Sequence, residues 1–189
     1  MFGALLLAAA PASAAPRFLP DQDVTVHYEV DAPGRAAADY RLMFDAPGRL
    51  ARVENADASL VVLADLGAGQ AQLYLPALRA VVEAPDFSDL TGMIANAGGA
   101  RFTPLGHGFY AGLGCEKYLV LATQGSGEAC LTPDGVVLHF SGHDAHGSAE
   151  VTAVSVAFGQ IDPSAFALPP QTSQITLPPG ALAALLQNP

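Results

Sequence analysis

Apolar and polar residues alternate one for one at the start of the chain's ordered pattern: Val24, Val26, Tyr28 and Val30 interleave with Thr25, His27 and Glu29. A two-residue period puts one set on each face of a β-strand. Tyr40, Leu42 and Phe44 repeat it after Asp31-Ala-Pro-Gly34, a turn in which Pro fixes φ and Gly supplies freedom. Asp45-Ala-Pro-Gly48 is a second such turn, but the strands around the two differ, so they are independent turns and not a repeat. Strands at 50–54, 60–66, 71–75 and 78–83 complete a six-strand N-terminal meander. Within it the run Leu60-Val-Val-Leu-Ala64 is apolar on both faces, the pattern of a strand covered on both sides.

The period then changes. Phe87, Leu90, Ile94 and Ala97 stand at i, i+3, i+7 and i+10, which predicts a helix over 86–97, opened by Asp86 or Ser88 and stopped by Gly98-Gly99. Strands resume at 101–105, 116–122, 128–132, 136–140 and 148–158, with Asp134-Gly135 as a hairpin turn and 142–147 as a loop. The pattern predicts one mainly β (α+β) domain over 23–170, a curved antiparallel half-barrel sheet covered by one internal helix. A lead-in over 15–22 precedes it, and a tail over 171–189 ends in a short helix at 181–186. Strands apolar on both faces imply a hollow rather than a slab wetted on one side. Its expected lining is Tyr40, Leu42, Phe44, Leu73, Leu75, Phe87, Leu90, Ile94, Val154 and Val156. The same side chains would equally fill a solid core, because a filled core and an empty cavity use the same residues.

Ahead of the strands, an apolar stretch from Phe2 to Ala10 is followed by Ala12-Ser13-Ala14, the small-residue pattern that signal peptidase accepts. Residues 1–14 are therefore expected to be a signal peptide, too short for a membrane anchor, and the rest periplasmic or secreted from a bacterium. No later segment is apolar for long enough to span a bilayer as a helix. The charge of −10, with Lys117 the single lysine, excludes a nucleic-acid partner and disfavours anionic lipid surfaces, since both need clustered Lys and Arg. Neither argument touches an apolar ligand or an envelope protein.

Cys115 and Cys130 are the only cysteines, and an exported pair is expected to be bonded. Geometry raises an objection: a simple hairpin about Gly125 sets Cys130 opposite about Leu121, leaving Cys115 ~20 Å away unless the chain bends or bulges. His139, His143 and His146 with Asp144 are metal-binding residue types, but the loop reads more simply as a solvated hairpin connection, and no metal is assigned. Gly106-His-Gly-Phe-Tyr-Ala-Gly112 lacks the lysine and helix of a phosphate loop, and neither G-x-S-x-G nor H-E-x-x-H occurs. No catalytic residue, cofactor or enzyme activity is expected.

Two stretches carry a family resemblance. Arg49-Leu-Ala-Arg-Val-Glu54 followed by Leu60-Val-Val-Leu-Ala-Asp-Leu66 is similar to the paired strands that precede a helical lid. Gly114-Cys-Glu-Lys-Tyr118 with Ala129-Cys-Leu-Thr-Pro-Asp-Gly135 and Val136-Val-Leu-His139 is similar to a two-cysteine module. On these the chain resembles the LolA-like superfamily of unclosed barrels, which includes periplasmic lipoprotein carriers, and an uncharacterised secreted bacterial branch of it. The resemblance implies an apolar cavity between sheet and helix able to hold an acyl chain. The carriers present several lid helices where this chain offers one, and no gating residue is carried over. The expected function is an exported non-enzymatic protein binding a lipid or other apolar ligand. The alternative is a structural or protein-interaction module of the cell envelope with a packed core.

Overall fold

A computed structural model describes residues 16–83, 99–123, 125–144 and 147–176. The expected signal peptide, the expected helix over 86–97 with Phe87, Leu90 and Ile94, the tail helix over 181–186, and His146 lie outside the described residues.

The meander forms as the alternation predicts. Its strands are β1 (Val24–Asp31), β2 (Ala38–Asp45), β3 (Leu50–Asn55), β4 (Val61–Asp65), β5 (Gln70–Leu75) and β6 (Ala80–Glu83). The last begins later than the expected position 78, because a 3-10 turn over Pro76–Leu78 precedes it and Arg79 then takes the left-handed region at φ 46°. The two D-A-P-G turns also differ in conformation. Gly34 carries the positive φ in the first, and Arg49, after the glycine, carries it in the second.

A second meander follows: β7 (Arg101–Tyr110), β8 (Leu113–Ala122), β9 (Gly125–Leu131), β10 (Val137–Asp144) and β11 (Gly147–Phe158). The loop expected at 142–147 is strand at all its described residues, since Gly142, His143 and Asp144 pair with Ala149, Ser148 and Gly147. A further strand, β12 (Ser173–Thr176), comes from the stretch expected to be tail and pairs parallel to β6. The twelve strands form one sheet in the order β12-β6-β5-β4-β3-β2-β1-β11-β10-β9-β8-β7. The two meanders thus join at its centre through β1 and β11, and the sheet is unclosed, with β12 and β7 at its edges. Pro104, which has no N–H to offer, and a bulge between Pro104 and Gly106 interrupt the β7 edge, features that discourage pairing with another chain.

Registration turns the alternation into continuous rows. Val82, Leu73, Val62, Val53, Leu42, Val26 and Val156 are successive partners across seven strands. The neighbouring row on the same face runs Val24, Phe44, Ala51, Ala64, Ala71. On the opposite face Arg41, Glu54, Val61, Tyr74 and Val81 align. That face is covered at the Val61, Tyr74 and Val81 row. Leu168 packs on the buried Val61, Tyr74 and Val81, so the chain's own C-terminal segment covers it. This accounts for the two-sided apolar run of 60–66 without a lid. In β11 the second face differs: the run from Val151 to Phe158 alternates little in sequence, yet Val154 is 56% exposed and Phe158 39%, so it is not covered on both sides.

Glu54 sits beneath that segment, 3% exposed. It pairs with Arg41 and with Arg52, whose Nη2 lies 2.7 Å from its carboxylate, while Arg52 Nη1 donates to the carbonyl of Ala165 at 2.9 Å. Burial pushes the Glu54 carboxyl up, but the two guanidiniums outweigh it and hold the group below the usual carboxylate range.

Cys115 and Cys130 are bonded, with Cα atoms 5.4 Å apart. The objection from a hairpin about Gly125 fails because the chain reverses earlier. Ala122 already pairs with Gly125, which sets Lys117 opposite Cys130 and leaves Cys115 two residues away on the same strand face. A bare glycine makes room for the bridge: a Cβ on Gly108 would lie 2.8 Å from Cys130 Sγ and 3.1 Å from Lys117 Cε. Gly108→Ala is therefore expected to lower stability by about 1–3 kcal/mol, the usual cost of overpacking. Urea titration checks this, and an unchanged midpoint would refute the close fit.

Candidate functional site

The hollow on the Val26 face exists because the row after Val24 and Phe44 runs into three alanines. Ala51, Ala64 and Ala71 project little into a space that Leu42, Val53 and Val62 bound from the next row. The space is about 190 Å³. Its far wall comes from outside the meander: Phe18-Leu19-Pro20 of the lead-in, and Gly135-Val136-Val137 of the β9–β10 turn. The lead-in is tied there by an Asp21 N–H donating to the Asp134 carbonyl at 3.1 Å and by Phe18 stacked on Phe102 at 5.8 Å. Gly135, with φ +89°, lets it approach, since a Cβ there would fall 2.3 Å from the Leu19 carbonyl oxygen.

Among the described residues no charged one lines this hollow. Its one side-chain polar group there, the Tyr28 hydroxyl, donates to the Val137 carbonyl at 2.8 Å, and burial holds its pKa well above the ordinary phenol value. The lining is therefore apolar with its polarity already satisfied, so the space offers a ligand dispersion and dehydration rather than hydrogen bonds.

Of the residues expected to line the site, Leu42 and Phe44 do so. Leu73 and Leu75 pack in a neighbouring cluster with Val82 and Val62, and Val156 packs against the main core. Tyr40 stands in the row of Tyr28, opposite it and Asn55, but is not itself part of the lining. Val154 is set elsewhere altogether. It is the extra residue at a β-bulge, between Ala153 opposite Tyr28 and Ser155 opposite His27, which turns it outward. The alanines and the lead-in were missed. A search for large apolar residues passes over alanine, whereas a void needs small ones.

A second, larger cleft of about 500 Å³ lies beside the first. Arg17, His107, Glu116, Tyr118 and Thr132 are its polar lining. Tyr118 donates its O–H to Glu116 Oε2 at 2.7 Å, and burial together with that bond pushes its phenol up to about 12.

Among the described residues, His139 and His143 do not converge. His139 is buried against Tyr110, rings stacked at 4.7 Å, with Nδ1 3.1 Å from Thr152 Oγ1, while His143 is exposed near Ser126. Among the described residues no group of three or more His, Cys, Asp or Glu could hold a metal ion. Nor is any described helix long and apolar enough to cross a membrane.

No protein-family model matches the sequence, and no curated protein matches it. Solved structures do. A conserved protein from Thermus thermophilus aligns over 83% of this chain and 91% of its own, at 13% identity and a TM-score of 0.60. MucB aligns over 86% of this chain and 65% of its own, at 12% identity and a TM-score of 0.54. In the Pseudomonas aeruginosa MucA/MucB complex the match covers 82% of this chain and 58% of the other, again at 12% identity and 0.54. The chain thus spans less than two thirds of MucB. Likeness at such identity speaks to fold alone, and the fold is LolA-like, an unclosed curved sheet.

Proposed function

We propose that the chain is an exported, non-enzymatic binding module that takes one acyl chain or similar apolar ligand in the hollow walled by Ala51, Ala64 and Ala71. The observation that carries this is an uncharged lining around empty space, built from a row of alanines where a solid core would place larger residues. The signal-like first fourteen residues support export. At about 190 Å³ the hollow is smaller than the ~300 Å³ at the low end of sites for drug-sized ligands, which favours a single narrow chain over a two-chain lipid.

Filling the hollow tests this. Val62→Phe is expected to leave thermal stability within about 1 kcal/mol, because the added ring enters a void rather than a packed core, and to weaken a fluorescent fatty-acid probe at least tenfold, about 1.4 kcal/mol. If the purified protein neither binds the probe nor releases lipid on organic extraction, the proposal fails.

A protein partner is the second reading, and a specific feature favours it: β7, at a sheet edge, exposes Phe109 at 70% and Leu105 at 52%. MucB, of like fold, is seen in complex with MucA. Loss of a partner in pull-downs with Phe109→Ser, with the probe still bound, would favour this reading.

A further inference from the structure

The two cavities lie along the same two chain segments. Pro16 and Arg17 line the cleft while the next three residues line the hollow, and Leu131 to Pro133 line the cleft while Gly135 to Val137 line the hollow. The hollow is uncharged and narrow, and the cleft on the other side of the lead-in is wider and carries charge of both signs.

Those charges have unused capacity. The Arg17 guanidinium, on a side chain 66% exposed, pairs with Asp21 and keeps further N–H donors free, since the group has five. Among the described residues Glu116 accepts from Tyr118 at one oxygen, Oε2. The phenol, with its proton held by burial and by that bond, adds no negative charge. His107 stands directly opposite Glu116 in the β7–β8 ladder. A simple anion would gain Arg17 but meet Glu116 and a chain of net charge −10. A simple cation would leave Arg17 unused. A head bearing both charges satisfies each wall.

Resting on the reading of the hollow as an apolar-ligand site, we infer that the cleft is the headgroup site for a single-chain zwitterionic lipid. The phosphate lies toward Arg17, the ammonium toward Glu116, and the acyl chain runs past the lead-in into the hollow. The amphiphile then spans both cavities, matching polarity to polarity along its length.

Displacement of a fluorescent fatty acid by lysophosphatidylethanolamine, lysophosphatidylglycerol and the free fatty acid, all of one chain length, tests the assignment. The expected result is at least tenfold tighter binding of the ethanolamine lipid than of the glycerol lipid. Glu116→Gln should erase that preference and Arg17→Gln should weaken both phospholipids at least tenfold, each variant keeping the wild-type circular dichroism spectrum. Equal affinity for the two phospholipids in the wild type, or a preference that survives both substitutions, would overturn the headgroup site while leaving the hollow intact. Failure of the probe itself to bind would overturn both.

Discussion

Replacing Cys115 and Cys130 together by alanine is expected to lower the melting temperature by roughly 6–12 °C. The bond closes a separation of 15 residues, and loop closure of that size is worth about 3 kcal/mol in the unfolded chain. For a chain of this length each kcal/mol moves the midpoint by about 2–4 °C. The native side adds to the loss. Cys130 is fully buried and Cys115 nearly so, in the cluster that holds Val24, Val26, Phe44 and Leu138. Thermal unfolding followed by circular dichroism under non-reducing conditions measures this, and a shift under about 2 °C would show the bridge to be incidental to stability.

Arg52→Met is expected to cost about 3 kcal/mol. The substitution keeps most of the apolar stem but leaves the buried Glu54 with Arg41 as its one remaining guanidinium. Stripping a partner from a buried ion pair costs about 3–5 kcal/mol. The partial exposure of Arg52 places this case at the lower end. The Ala165 carbonyl loses its donor as well, so hydrogen exchange should accelerate over 161–168 ahead of the sheet. The pH dependence follows from the direction of the Glu54 shift. Its folded-state pKa lies below the unfolded value, so the stabilisation is fully present above the ordinary carboxylate pKa and is lost as pH falls through the lower, folded value. With Arg52 gone, burial still opposes ionisation and less remains to offset it, so the acid-unfolding midpoint should move to higher pH. An unmoved midpoint would mean that Arg41 alone sets the Glu54 charge.

The strands were legible because each buries one face, and burial writes a two-residue period into residues such as Val24, Val26, Leu42 and Phe44. Long-range cover leaves no such periodic mark. The run at 60–66 announces that both its faces are covered but not by what. One cover proves to be the chain's own segment around Leu168, distant in sequence. Bulges were invisible for the same reason, since one inserted residue at Val154 reverses its face without altering composition. The disulfide was readable from the number and setting of the cysteines. Its register was not, because pairing Ala122 with Gly125, rather than turning about Gly125, moves every partner along the ladder. The hollow was inferred from large apolar residues but is made by Ala51, Ala64 and Ala71.

The junction at β1 and β11 sets the order in which the molecule can be completed. Val24 finds its partner on one side in Phe44, but on the other it must wait for Phe158. A chain emerging from its N-terminus therefore carries a bare strand flank, rich in valine, until β11 has been made. Such late, distant pairing slows acquisition of the native state and leaves that flank open to adhesion by other chains in the interim.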